Sequence, residues 1–148
     1  MENTNRGHRA IVLSLHPQYW EMMKAGEKRL EIRKTRPKGE GGYSVLVYIT
    51  GGVGIAGEFY TDAFYELKAK PELDVWAIPP KESGTPYNLQ KASCLTREQL
   101  LSYAGDKETL WGWHIVEPRE YGSRLTLGDI GLKTAPQSWC YARLAGMT

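Results

Sequence analysis

Cysteine and histidine are scarce in this chain, with two of the former and three of the latter among 148 residues. Cys94 and Cys140 permit one intramolecular bridge at most and form no C-x-x-C pair, so the common zinc and dithiol signatures are missing. Both are expected as buried free thiols. His8, His16 and His114 are scattered, which leaves no metal-ligand spacing and no histidine pair for acid and base work. Neither a metal nor a cofactor is expected. Long apolar runs are absent as well: no window approaches the ~18 residues that a membrane span needs. The opening MENTNRGHRA carries no apolar signal-peptide segment, so the expectation is a soluble cytoplasmic protein without membrane partners. Internal repeats, heptads and low-complexity tracts are also lacking.

What is present fits one domain, and a domain of this length buries about 70% of the surface of its unfolded chain. Residues 1–9 are polar and read as a disordered tail, followed by a single domain over 10–148. AIVLSL, from Ala10 to Leu15, is a buried strand by its β-branched, apolar character. HPQYWEMMKAG follows as a short helix, with Pro17 in its first turn, Leu15 placed to staple onto Trp20, and Gly26 supplying a left-handed cap. KRLEIRK alternates as a half-buried strand, Leu30 and Ile32 on one face and Arg29, Glu31 and Arg33 on the other. YSVLVYIT reads as a strand apolar on both faces. IAGEFYTDAFYEL reads as a third, with Ala56, Glu58 and Tyr60 sharing a face and Gly57 marking a bulge or close approach. Four prolines between Lys68 and Ala92 predict an excursion of short turns, an insertion at about 68–92. TREQLLSYAG is a helix with a Thr96–Gln99 capping box, LWGWHIVEP a strand ended by Pro118, and SWCYARL the last strand after a turn-rich piece. The fold class is therefore α+β: a small mixed β-barrel of five to six strands flanked by short helices.

The net charge of +2 excludes a polycation that coats any nucleic acid, but its distribution is uneven. Seven basic residues and two acidic ones lie between Lys24 and Lys38, leaving the rest of the chain slightly acidic. Within that segment GEKRLEIRK packs Lys28, Glu31 and Arg33 into a helix-to-strand corner, where side chains converge on clefts. The plain alternative is a solvated face bearing a surface ion pair, worth no more than about 1 kcal/mol.

LSLHPQYWEMMKAGEKRLEIRK resembles the signature of the ASCH domain, a branch of the PUA-like superfamily in which a short helix precedes a G-x-K-x-x-E-x-R motif, here Gly26, Lys28, Glu31 and Arg33. The likeness covers residues 10–60 and, more loosely, 96–144, where GDKETLWGWHIVEP and APQSWCYARL are similar to the closing strands of phage- and prophage-type members. It implies a PUA-like barrel with the motif residues gathered in a cleft between barrel and helix. It also implies binding of RNA, single-stranded nucleic acid or a modified nucleobase or nucleotide. In that cleft the ligand-binding candidates are Lys28, Glu31, Arg33 and Glu58, with Tyr60 and Trp139 preferred as stacking platforms over Trp20, Tyr48, Trp111 and Trp113; Arg29, Lys34, Arg36 and Lys38 form a basic rim. Lys28→Ala and Arg33→Ala are expected to abolish binding and spare the fold.

The resemblance implies two enzymatic alternatives. One is an amidohydrolase acting on an acylated nucleoside such as N4-acetylcytidine, in which Lys28 and Glu58 stand for the family's lysine and glutamate; Glu31 occupies the position of its threonine, so an anion replaces a hydroxyl and works against a neutral lysine base. The other is a ribonuclease, for which no acid–base pair is evident. A third reading, an interaction module, makes the Pro-rich segment from Lys68 to Ala92 the contact surface.

Overall fold

The computed structural model describes residues 9–70, 75–77 and 89–142. Alternation decides the centre of the molecule. In β1 (Ala10–Leu15) the side chains of Ile11, Leu13 and Leu15 enter one core cluster while Val12 enters another on the opposite face, and β3 (Tyr43–Ile49) repeats the pattern with Val45 and Val47 against Leu46. The two strands pair in parallel, Ala10 opposite Ser44 through Leu15 opposite Ile49. Such a pair requires a crossover, supplied here by α1 (Pro17–Lys24) and β2 (Leu30–Arg33).

Helix α1 is stapled and capped as its sequence requires. Leu15 and Trp20 share the central cluster. Gly26, at φ +81°, closes a Schellman turn in which its N–H donates to the Met23 carbonyl and that of Glu27 to Met22. Lys28 N–H donates to the same Met22 carbonyl at 3.1 Å, so the corner is held firmly before β2 begins.

Nine strands are present among the described residues, more than the five or six expected, and they form two sheets instead of one closed barrel. The larger has the order β8-β4-β3-β1-β9, with β4 at Gly54–Thr61, β8 at Val116–Leu125 and β9 at Trp139–Ala142; the smaller runs β2-β7-β5-β6, with β5 at Phe64–Lys70, β6 at Val75–Ala77 and β7 at Thr109–His114. The extra strands come from three places. IAGEFYTDAFYEL is two strands, because the chain turns at Asp62 and Ala63 and passes from the larger sheet to the smaller. Pro118 does not end a strand but lies within β8, which is an edge strand where a missing N–H is tolerated. The first seven residues of the expected turn-rich piece, 119–125, belong to this strand, and the rest, to Gln137, is turns with a short 3-10 helix at Gly128–Ile130. Part of the Pro-rich segment is also regular, as the end of β5, β6 and α2 (Leu89–Ser93); its remainder, 71–74 and 78–88, lies outside the described residues, as does the tail 1–8.

The interior is split accordingly. One cluster lies between the sheets and under α1. A second packs Leu30, Ile32, Leu67 and Leu110 of the smaller sheet against α2 and α3 (Arg97–Ala104). The Thr96–Gln99 capping box opens α3. Alternation fails in β4, where Ala56 and Phe59 share the central cluster and Ile55 faces the other way. The cause is a register shift around Gly57, whose missing Cβ would overlap the Arg119 carbonyl and stand 2.6 Å from the Trp20 ring. Cys94 and Cys140 are free thiols, half-buried instead of buried, and burial pushes the Cys140 thiol up.

Gly57→Ala is therefore expected to lower stability by about 2 kcal/mol or more, through forced overpacking against backbone. Gly26→Ala, which meets open space but keeps a left-handed φ, should cost about 1 kcal/mol. Urea unfolding midpoints of both variants check the ranking, and the reverse order would refute the close approach.

Candidate functional site

The parallel strands β1 and β3 end side by side, and a cavity of about 440 Å³ opens beyond their carboxyl ends. Ser14 and Leu15 line it from β1, Thr50 from the end of β3, His16 and Tyr19 from α1, Glu31 to Arg33 from β2, Leu95, Gln99 and Tyr103 from the α3 region, and Gln137 from the approach to β9. Lys28 stands in its wall. His16 is the cap residue of α1 itself, with Nδ1 3.1 Å from the Thr50 hydroxyl.

Three charges meet at the base of this cavity. Lys28 and Glu31 are only 2% and 4% exposed. Lys28 Nζ donates to the Ser93 carbonyl at 2.5 Å, lies 3.5 Å from Glu31 Oε1 and faces the Tyr19 ring at 5.1 Å. Arg33 donates through Nε to Glu31 Oε2 at 2.7 Å, through Nη1 to the Ser138 hydroxyl and through Nη2 to the Ser14 carbonyl, both at 2.9 Å. Burial pushes the Glu31 carboxyl up, but the Arg33 and Lys28 charges and hydrogen bonds outweigh it and hold the carboxyl below its ordinary value. Two cations surround one anion, so the base of the cavity keeps a net positive charge.

Above the charges the walls carry rings and amides. Tyr19 and Tyr103 line the space, and burial pushes the Tyr103 phenol up. Neither tyrosine was singled out by sequence. Gln99, Gln137 and Thr50 add neutral donors and acceptors.

The structure brings Lys28, Glu31 and Arg33 together and places the other candidates elsewhere. Glu58 is not in the cavity: it projects from β4, accepts from the Tyr121 hydroxyl at 2.8 Å and pairs with Arg119 at 3.0 Å. Burial, then Glu58, pushes the Tyr121 phenol up. Tyr60, also on β4, lies outside the cavity, near Gly42. Trp139 is outside it too, half-buried, with its indole N–H donating to Thr35 Oγ1 at 2.9 Å. Trp20 and Trp113 are core. Of the basic residues, Lys34 covers the Tyr103 ring at 4.9 Å and so stands by the cavity, Arg36 stacks on Trp111 at 4.7 Å, and Lys38 and Arg29 are exposed. His114 pairs with Asp62 at 2.7 Å, away from the cavity. Among the described residues no cluster of three metal-ligating side chains occurs, and no helix is long and apolar enough to cross a membrane.

Solved structures with this architecture exist. The chain is similar to the ASCH protein of Zymomonas mobilis, with a TM-score of 0.69 and 15% identity over 92% of this chain and 89% of that one. Two mutant forms of the same protein give TM-scores of 0.71 and 0.70 at 15% and 16% identity, the first covering 93% of this chain and 91% of that one, the second 90% of each. No family model and no curated protein matches the sequence. The chain thus has the mixed α+β fold of an ASCH domain.

The ionic group argues against one expectation, because Lys28 and Arg33 tie α2, β1 and the start of β9 to β2, and their removal is expected to weaken the fold. Deleting one partner of a buried ionic group costs about 3–5 kcal/mol, so Lys28→Ala, Arg33→Ala and Glu31→Ala should each destabilise by about that much. Glu31 has a folded value below its unfolded one. Its contribution is therefore complete above the unfolded value of about 4.3 and lost as pH falls through the folded value. Denaturant unfolding of Glu31→Gln against the parent should show a stability gap that narrows as pH is lowered from neutrality into that acid range; a gap independent of pH would contradict it.

Proposed function

We propose that the cavity binds a nucleobase or nucleotide, free or carried in RNA or another single-stranded nucleic acid. The observation that carries this reading is the pairing of a positive, buried base with two tyrosine rings in one hollow of about 440 Å³. That volume lies in the ~300–1,000 Å³ range of small-ligand pockets and holds one nucleotide rather than a folded helix. Tyrosine faces stack on bases, while the net positive charge of the Lys28–Glu31–Arg33 group attracts carbonyl or phosphate oxygens. The ASCH fold agrees with it, and we read the two sheets as the opened form of a PUA-like barrel. A phage- or prophage-type origin and a cytoplasmic setting belong to the same reading.

Hydrolysis of an acylated nucleoside is less well supported. Lys28 Nζ is occupied by the Ser93 carbonyl and Glu31, and Glu58 stands outside the cavity that holds the lysine. A base and its proton shuttle have to reach one substrate.

Calorimetric titration with the four ribonucleoside 5′-monophosphates and the parent nucleosides tests the reading. Binding should be tighter for the phosphorylated forms and weaken with salt. Tyr103→Leu should weaken it by about 5- to 100-fold, the worth of one stacking ring, with the unfolding curve retained. No binding of any nucleotide, or binding indifferent to Tyr103, would overturn it. N4-acetylcytidine should survive incubation intact; cytidine release abolished by Glu58→Gln would replace binding with hydrolysis.

A further inference from the structure

We propose that the cavity is the first subsite of a longer track for single-stranded nucleic acid, which leaves it along β9 and uses Trp139 and Tyr141 as further stacking platforms. The inference rests on the cavity reading above, and it commits that reading to a polymeric ligand.

Two segments run beside each other away from the cavity. Arg33 donates to Ser138 Oγ at 2.9 Å, Trp139 Nε1 to Thr35 Oγ1 at 2.9 Å, and the Lys38 N–H to the Tyr141 hydroxyl at 3.0 Å. These three rungs join residues 33–38 to residues 138–141 in ascending order. The first begins at a residue of the cavity wall, and Gln137, next to Ser138, lines the cavity as well. At about 3.3 Å per residue Tyr141 lies roughly 10 Å beyond Ser138, the length of about three stacked nucleotides.

The chemistry along this path is that of a strand-binding groove. The Trp139 and Tyr141 rings meet edge to face at 5.3 Å, and Tyr141 is 48% exposed, unusual for a ring of its size. Basic groups flank the rings: Lys34 and Lys38 are exposed, and the Arg9 guanidinium sits 4.2 Å above Tyr43, itself 6.1 Å from Tyr141. Glu40 is the one acid between Lys34 and Gly42. A half-buried tryptophan beside an exposed tyrosine, edged by cations, suits a polyanion with π-faces and suits an acidic or apolar peptide less well, because neither would use both features. The hydroxyl of Tyr141 is engaged by backbone, which fixes the ring without occupying its exposed face.

Fluorescence anisotropy with labelled homohexaribonucleotides, alongside calorimetry with the corresponding mononucleotides, separates the two readings. Hexamers should bind more tightly than mononucleotides. Tyr141→Ala should weaken hexamer binding by about 5- to 100-fold and leave mononucleotide binding unchanged, while Tyr141→Phe, which keeps the ring, restores it. Lys38→Ala should reduce the slope of log affinity against log salt for the hexamer by about 0.7. Mononucleotide binding with no gain for hexamers, or hexamer binding indifferent to Tyr141→Ala, overturns the track and leaves the cavity standing. Hexamer binding that depends on Tyr141 with no mononucleotide binding supports the track and overturns the cavity as a subsite.

Discussion

Everything at the carboxyl end of β1 is organised by one carboxylate held between two cations. Glu31 is buried, and alone it would be expelled or protonated; Arg33 and Lys28 keep it charged. Each cation then spends its other hydrogen bonds on a different part of the chain, Lys28 on the carbonyl of Ser93 at the end of α2 and Arg33 on Ser14 and Ser138. An ionic group of three residues therefore ties together β1, β2, α2 and the start of β9 at the base of the cavity, whose walls are completed by α1, the end of β3 and the α3 region.

Under the proposed reading the arrangement would link stability to recognition. A wholly apolar junction would pack as well or better, since replacing buried ion groups by well-packed hydrophobic side chains is often neutral or stabilising. What the charged junction provides instead is a surplus of positive charge held in place at the base of the cavity, which under the proposed reading would face a ligand oxygen.

Local grammar made much of this legible. The strand character of residues 10–15 and 43–49, the stapled α1, its Gly26 cap and the Thr96 capping box all follow from side-chain periods and cap chemistry, and all hold. The convergence of Lys28, Glu31 and Arg33 was legible because they lie within six residues at a helix-to-strand corner. What was not legible depends on distant partners. Glu58 and Tyr60 sit on a strand whose alternation is broken by the approach of Arg119 to Gly57, a contact invisible without β8. The turn at Asp62 that divides one apolar run between two sheets carries no glycine or proline to announce it. Tyr19 and Tyr103 come from helices whose faces toward the cavity are decided by the packing of α1 and α3 on different sheets, so neither spacing nor composition could single them out.

The long edge strand β8 carries a consequence for the behaviour of the molecule in crowded solution. Among the described residues it pairs only with β4, and ten residues of open backbone would ordinarily invite a second sheet to add on. Pro118 deletes one donor, Glu117 at φ +52° twists the chain beside it, and the pairing slips between Glu58 and Tyr60 and again between Ile55 and Gly57. Such a ragged border offers no continuous ladder for lateral zippering, which removes a template for strand addition along that side.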